Sequence, residues 1–134
     1  MKRYTIFLLL FTSVVVLHAQ QKAAPVVYVG YLVDHMCGKQ MAKLTPEKAD
    51  AKAAKHTKEC ALDENCKVSG YGIVSKGLYL KLDAAGDQLA ETFLKKTTKE
   101  NHNKVEIRGT VDGGLLKVVS LKDGERQKKF IGKS

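Results

Sequence analysis

The side chains in this sequence that can bind metal ions or exchange electrons lie close together along the chain. Two histidines and three cysteines fall within one segment: His35, Cys37, His56, Cys60 and Cys66. Imidazoles and thiolates are ligands of Zn(II) and Cu(I), and thiols also form disulfides. His56 and Cys60 are four residues apart, so on a helix they would share one face. The search for function therefore begins with residues 35–66.

The amino terminus indicates which compartment these thiols occupy. Residues 1–19 combine two basic residues at the start, an apolar run over residues 6–17 and a small residue, Ala19. This pattern is typical of a signal peptide cleaved near Ala19, and the apolar run is too short to span a membrane. We therefore expect a periplasmic or secreted protein in an oxidising compartment.

The first interpretation of the thiols is a structural disulfide. Exported cysteines pair oxidatively, and one bridge would stabilise a small domain by about 2–4 kcal/mol. Any two of Cys37, Cys60 and Cys66 could form the bridge, and the third would remain a thiol. The sequence leaves the three pairings open.

The second interpretation is a soft-metal site. Its candidate ligands are Cys37, His56, Cys60 and Cys66, with His35 as a further candidate. Thiolate and imidazole suit Zn(II) or Cu(I), and two methionines near Cys37 favour Cu(I). Asp34, at the end of a predicted strand, points towards the same place. The odd number of cysteines favours this site, whereas the absence of a CxxC motif does not.

The third interpretation is a reactive thiol at Cys37. His35 lies two residues before it, and a neighbouring imidazolium would lower the pKa of the thiol and favour the thiolate. Such a thiolate could support thiol exchange or a covalent intermediate. No CxxC motif accompanies it, so this interpretation ranks third.

The strands that must position these residues are short and polar on one side. Val- and Tyr-rich runs or alternating patterns predict strands over residues 26–34, 71–75, 78–83, 105–111 and 115–121. Asp112, Gly113 and Gly114 join the last two strands, which favours a hairpin.

Two helices are predicted between the strands. Thr45 and Pro46 begin an Ala-, Lys- and Glu-rich helix that continues to Leu62, after an irregular stretch over residues 35–44. Residues 63–70 are expected to be a loop. The second helix covers residues 87–97, with Asp87 as its N-cap and an apolar face formed by Leu89, Ala90, Phe93 and Leu94.

This order of elements predicts a mainly β fold with helices. Five strands with a helix between the third and fourth are typical of an OB-fold-like barrel, whose lower end Leu89 and Phe93 would close. The helical segment with the cysteines and histidines is then an insertion over residues 35–69. We expect one domain over residues 20–121, followed by a basic tail over residues 122–134.

Five segments of the chain resemble a known family. They are GYLVDHMCG (30–38), HTKEC (56–60), Cys66, SGYG (69–72) and VEIRGTVDGGLLKVVSL (105–121). In this arrangement the chain resembles a largely uncharacterised family of small exported bacterial OB-fold-like proteins with a Cys-Gly, His-x3-Cys and Cys pattern. The resemblance implies export and fold, and it implies no activity.

A second candidate site lies on the predicted sheet. OB-folds bind oligosaccharides and oligonucleotides on the face of strands two and three. Here those strands carry Tyr71, Tyr79 and Lys81, which could stack on a sugar and attract an anion. The net charge of +9 favours anionic envelope components, glycans or another exported protein as partners. We expect no nucleic acid partner, because the protein is exported, and no membrane-spanning segment.

The sequence therefore predicts an exported binding or envelope-associated module rather than an enzyme. No Ser-His-Asp order and no pair of carboxylates suggests catalysis. The favoured form has one disulfide in the insertion. The alternatives are a Cu(I) or Zn binding protein and a thiol-reactive protein centred on Cys37.

Overall fold

The computed structural model describes residues 23–125. The predicted signal peptide and residues 126–134 of the predicted tail lie outside the described residues. The strands are β1 (Val26–Asp34), β2 (Tyr71–Ser75), β3 (Leu78–Leu82), β4 (Lys104–Asp112) and β5 (Leu115–Asp123). The helices are α1 (His35–Met41), α2 (Pro46–Ala54), α3 (Lys58–Leu62), α4 (Glu64–Ser69) and α5 (Ala84–Lys96).

The five strands form one mixed sheet. β1 is antiparallel to β4 along residues 26–31 and to β2 along residues 31–34, so it changes partner just after Gly30. A Cβ atom on Gly30 would lie 2.7 Å from the carbonyl oxygen of Val74, which explains the glycine. β3 pairs antiparallel with β2, and β5 pairs antiparallel with β4 and parallel with β3. The sheet therefore closes on itself in the order β1-β2-β3-β5-β4.

This arrangement confirms the predicted fold class, a mainly β structure of five strands with helices. One helix lies between β3 and β4, and the cysteine-bearing helices lie between β1 and β2, as expected. The predicted tail begins too early, because β5 continues through Asp123 and pairs it with Val105. None of the helices within residues 23–125 is long and apolar enough to cross a membrane.

An inner core lies inside the closed sheet. Every strand contributes to it, with further residues from α3 and α5. Its buried members are Leu32, Ala61, Tyr71, Ile73, Leu82, Ala90, Leu94, Val105, Ile107 and Leu116. Large aliphatic side chains dominate this set, so the inner core provides most of the apolar burial that stabilises the protein.

Three of the four residues predicted on the apolar face of α5 pack inward, and Leu89 does not. Ala90 and Leu94 are buried and Phe93 packs against the inner core, whereas Leu89 is 38% exposed. The prediction that Leu89 would help to close the sheet is therefore wrong, and Leu94 occupies that role instead.

The N-cap of α5 is Asp83 rather than the predicted Asp87. One Asp83 carboxylate oxygen accepts hydrogen bonds from the backbone N–H groups of Gly86 at 3.0 Å and Val118 at 3.2 Å. Asp87 lies in the first turn, and its carboxylate accepts a hydrogen bond from the backbone N–H of Tyr71 at 2.8 Å. α5 is thus fastened to β2 and β5 through two carboxylates.

A second core lies between the insertion and the sheet. Its buried residues are Val33 and Val74 from the sheet and Met41, Ala49 and Ala53 from α1 and α2. Tyr31, Cys37 and Tyr79 pack against it. Small alanines let α2 approach the strands closely, so the insertion covers part of the outer surface of β1, β2 and β3.

The insertion contains four short helices, where a single helix over residues 45–62 was predicted. Thr57 begins α3 by accepting a hydrogen bond from the Cys60 backbone N–H, and Asp63 begins α4 by accepting one from Asn65. The Thr57 cap starts α3 inside the predicted helix, and the Asp63 cap starts α4 inside the segment that was predicted to be a loop. Residues 35–44, expected to be irregular, include α1, which Asp34 caps.

Candidate metal centre

Asp34 joins the sheet to the insertion. It is the last residue of β1 and the N-cap of α1, and it is completely buried. Its Oδ1 atom accepts a hydrogen bond from the backbone N–H of Cys37 at 2.9 Å. Its Oδ2 atom lies 2.9 Å from Nε2 of His56. The same carboxylate therefore holds one cysteine by its backbone and faces one histidine.

His56 lies in the short connection between α2 and α3. The residues on either side of it are fastened to the chain that precedes β4. The Lys58 N–H donates to the Glu100 carbonyl at 2.7 Å, and the His102 N–H donates to the Ala54 carbonyl, also at 2.7 Å. These backbone hydrogen bonds position the imidazole against Asp34, although 22 residues separate the two in sequence.

Cys37 and Cys60 complete a four-residue group. Cys37 lies in the first turn of α1, and Cys60 lies in α3, where the hydroxyl of Thr57 accepts its backbone N–H at 3.1 Å. One ligand atom each from Asp34, Cys37, His56 and Cys60 lies within 4.8 Å of the other three. The group is therefore close enough to hold a metal ion, with two sulfurs, one nitrogen and one oxygen as donors.

Three side-chain atoms in this group lack a hydrogen-bond partner. Asp34 Oδ2, His56 Nε2 and His56 Nδ1 are buried and have no hydrogen-bond partner. The 2.9 Å contact between Oδ2 and Nε2 has the distance of a hydrogen bond but not its angles. Unpaired buried polar atoms are uncommon and cost free energy, so their concentration here makes this group a candidate ligand site.

The electrostatics of Asp34 suit a cation. Burial would raise the pKa of this carboxyl, but contact with His56 and the Cys37 backbone N–H outweigh burial and lower the pKa. The carboxylate therefore stays ionised at neutral pH. An ionised, buried carboxylate with an unpaired oxygen is a strong donor for a metal ion.

The thiols of Cys37 and Cys66 are protonated at neutral pH in the absence of a metal. Burial, together with the carboxylate of Asp34, raises the pKa of Cys37 to about 12. Burial and Asp34 also raise the pKa of Cys66, to about 11. A metal ion would have to displace these protons, as is usual for thiolate ligands.

The structure contradicts the basis of the reactive-thiol interpretation. His35 was expected to lower the pKa of Cys37, but its Nδ1 atom lies 2.9 Å from the hydroxyl of Tyr79. The pKa of Cys37 is raised instead. The expectation of an activated thiolate at Cys37 is therefore wrong for this state of the protein.

The structure brings together most of the predicted ligands. Cys37, His56 and Cys60 meet, and Asp34 is the fourth member of the group in place of Cys66. Cys66 lies outside this set of four but interacts with Cys60, and this interaction contributes to the raised pKa of the Cys66 thiol. His35 lies outside the group.

All three cysteines are free thiols in this structure. The predicted disulfide is thus not formed here, and it stays a prediction for oxidising conditions. The sequence placed Asp34 near the cysteines but did not count it as a ligand. The available signal was its position, an aspartate at the end of a strand and three residues before a cysteine.

The glycine that follows Cys37 has a packing role. A Cβ atom on Gly38 would collide with the ring of Tyr79, and so would one on Gly72. The Tyr79 ring therefore lies between α1 and β2, in contact with both backbones. This contact fixes the position of α1 and hence of Cys37 against the sheet.

The predicted ligand face is not a surface platform. Tyr71 is 1% exposed, belongs to the inner core and donates its hydroxyl to the Ala61 carbonyl at 3.0 Å. The prediction that Tyr71 stacks on a ligand is therefore wrong. Tyr79 is half-buried against the insertion, and Lys81 is also half-buried. Tyr71 packs inside the inner core and Tyr79 packs beneath the insertion, so neither tyrosine forms a surface platform.

No family model matches the chain, and no curated protein or solved structure matches it. The functional argument therefore rests on the geometry of the four-residue group.

Proposed function

We propose that this protein binds a transition-metal ion, Zn(II) foremost, through Asp34, Cys37, His56 and Cys60. The observation that carries the proposal is the pair of unsatisfied buried atoms, Asp34 Oδ2 and His56 Nε2, at 2.9 Å. Two nitrogen or oxygen donors of one tetrahedral zinc lie roughly 3.3 Å apart. A small adjustment would therefore let both atoms bind one ion and remove the cost of leaving them unpaired.

The donor set favours Zn(II) over Cu(I). Zinc accepts thiolate, imidazole and carboxylate ligands together, whereas Cu(I) prefers sulfur. The methionines that favoured Cu(I) in the sequence do not strengthen that case, because Met36 is 51% exposed and Met41 is packed in the second core. Cu(I) remains the runner-up, since Cys66 offers a third thiol beside Cys60.

Four protein ligands would complete a tetrahedral site. Catalytic zinc sites keep one position for water or substrate, whereas closed sites serve structure or storage. We therefore propose a non-enzymatic metal-binding module that holds its ion within the helical insertion. The order of elements supports an OB-type barrel as the scaffold, and residues 1–19 support export as its setting.

A metal titration of the full chain tests this proposal. The reduced, metal-free protein is titrated anaerobically with Co(II), and Zn(II) is then added in competition. We expect equimolar binding, with thiolate-to-cobalt absorption that Zn(II) removes. Replacement of one ligand, as in Cys60→Ser or Asp34→Asn, should weaken zinc binding by about a hundredfold or more, because a quarter of the coordination is lost. An asparagine side chain can still cap α1, so the Asp34→Asn variant isolates the effect of the carboxylate.

Matched controls come from residues next to the group. Cys66→Ser and His35→Gln change residues of the same types outside the four ligands, and both should bind zinc within a few-fold of the unmodified protein. Absence of equimolar zinc binding by the unmodified chain would overturn the proposal. Equal affinity of Cys60→Ser and Cys66→Ser would also overturn the assignment of ligands.

A further inference from the structure

We propose that Cys66 is the redox partner of Cys60, and that a disulfide between them releases the bound metal ion. The inference rests on the proposed zinc site, because release requires that Cys60 be a ligand. The insertion would then have two chemical states, and in the oxidised state the Cys60 sulfur no longer binds the ion.

The positions of the three thiols select this pair. Cys60 lies in α3 and Cys66 in α4, and only Asp63 separates the two helices. The sulfur atoms of Cys37 and Cys60 lie within 4.8 Å of each other, and Cys66 also interacts with Cys60, which contributes to the raised pKa of the Cys66 thiol. Cys37 is held in α1, where the Asp34 carboxylate accepts its backbone N–H and its side chain packs against the second core, so Cys66 in α4 is the partner with more freedom to move towards Cys60.

The surroundings of Cys66 allow both access and movement. α4 contains no buried residue, and its Val68 is 84% exposed. Cys66 itself is half-buried, so a small oxidant can reach its sulfur. A six-residue helix with no buried anchor can shift by the small distance that disulfide formation requires, without disturbing the inner core.

The chemistry balances with a disulfide as the oxidant, such as oxidised glutathione. The Cys66 sulfur, after losing its proton, attacks one sulfur of the oxidant, and the first glutathione leaves as a thiolate that takes a proton. The Cys60 sulfur then attacks the Cys66 sulfur of the mixed disulfide and displaces the second glutathione. Two protein thiols thus lose two electrons and two protons, which convert one oxidised glutathione into two reduced molecules.

Oxidation would leave an incomplete metal site. The Cys60 electron pair that binds the ion is used for the sulfur–sulfur bond, so only Asp34, Cys37 and His56 remain as donors. Loss of one of four ligands should weaken zinc binding by about a hundredfold or more. The oxidised protein would then hold zinc weakly, and the reduced protein would hold it tightly.

The sequence around the pair makes the disulfide easy to map. Trypsin cuts after Lys58 and Lys67, and no Lys or Arg lies between them, so Cys60 and Cys66 fall in one peptide, ECALDENCK. Cys37 falls in a different peptide. After treatment of the metal-free full chain with oxidised glutathione, we expect this one peptide to lose the mass of two hydrogens.

Two outcomes of the mapping would overturn the inference. One is a cross-linked pair of peptides that contains Cys37. The other is stable glutathione adducts with no internal disulfide. Because the mapping uses metal-free protein, it gives its answer whether or not zinc binds, so failure of the pairing is distinguishable from failure of the metal site.

Zinc release is then measured with the zinc-loaded protein and a chromogenic indicator. Oxidised glutathione should release zinc from the unmodified chain, and reductant should restore binding. Cys66→Ser should bind zinc normally in the reduced state and release it at least tenfold more slowly under oxidant. Equal release rates in the two proteins would overturn the assigned role of Cys66.

Discussion

The closed sheet and the helical insertion are stabilised in different ways. The inner core of the sheet contains large buried aliphatic side chains from all five strands. The second core beneath the insertion has only Val33, Val74, Met41 and two alanines as its buried members. Helices of five to nine residues are too short to be stable alone in water. The stability of the insertion therefore depends on its packing against the sheet, on its helix caps and on the interactions of its buried polar side chains.

The same contrast applies to polar groups. In the part of the chain that the structure describes, four buried side-chain atoms lack a hydrogen-bond partner, and three of them belong to Asp34 and His56. The fourth is Asn103 Oδ1, in the residue before β4. The unsatisfied atoms of Asp34 and His56 lie where the sheet meets the insertion, which makes this junction the candidate ligand site.

The largest expected effect concerns the inner core. Leu94→Ala removes a fully buried side chain and should lower the free energy of unfolding by about 2–5 kcal/mol. Leu78→Ala is the matched control, because Leu78 is 70% exposed, and its effect should be below about 1 kcal/mol. Chemical denaturation of the reduced, metal-free protein measures both. Similar losses in the two variants would contradict the location of the core.

A somewhat smaller effect is expected when zinc is supplied. Free zinc at a hundred times the dissociation constant should stabilise the native protein by about 2.7 kcal/mol. Hydrogen exchange should slow within residues 35–69, where three of the four ligands lie, far more than in β4 and β5. Cys60→Ser should show neither change. If zinc slowed hydrogen exchange equally in the sheet and in the insertion, the insertion would not be the region that the ion stabilises.

The smallest effect is expected at the contact that orients α1. Gly38→Ala places a methyl group against the ring of Tyr79 and should cost about 1–3 kcal/mol. Because Cys37 is the preceding residue, zinc affinity should also fall. Lys39→Ala, an exposed position in the same helix, should leave both quantities nearly unchanged. If Gly38→Ala alters stability but not zinc affinity, α1 does not position the ligand.

The strands were predictable because their signal is local. Alternation in LYLKL and the Asp-Gly-Gly turn predicted β3 and the β4–β5 hairpin to within two residues. The helices of the insertion were less predictable. Their Ala- and Lys-rich sequence favours helix throughout, and the breaks depend on caps such as Thr57 and on hydrogen bonds from residues 54 and 58 to the distant chain before β4.

The sequence predicted the types of residue that form the candidate site, but it predicted only three of the four residues as ligands. Clustering of cysteine and histidine in the sequence identified Cys37, His56 and Cys60. The choice between Asp34 and Cys66 depends on how the end of β1 meets the connection between α2 and α3, which is set by tertiary contacts. Tyr71 was misassigned because alternation in a strand does not reveal which face points into the inner core.

The most direct test of the account is the coordination of the bound metal. X-ray absorption at the zinc edge, on the reduced full chain loaded with equimolar zinc, counts the donors by type. We expect two sulfurs at about 2.3 Å and two nitrogen or oxygen donors at about 2.0–2.2 Å. A count of three sulfurs would show that Cys66 binds the ion in place of Asp34. A shell of oxygen and nitrogen donors alone would contradict the proposed metal centre.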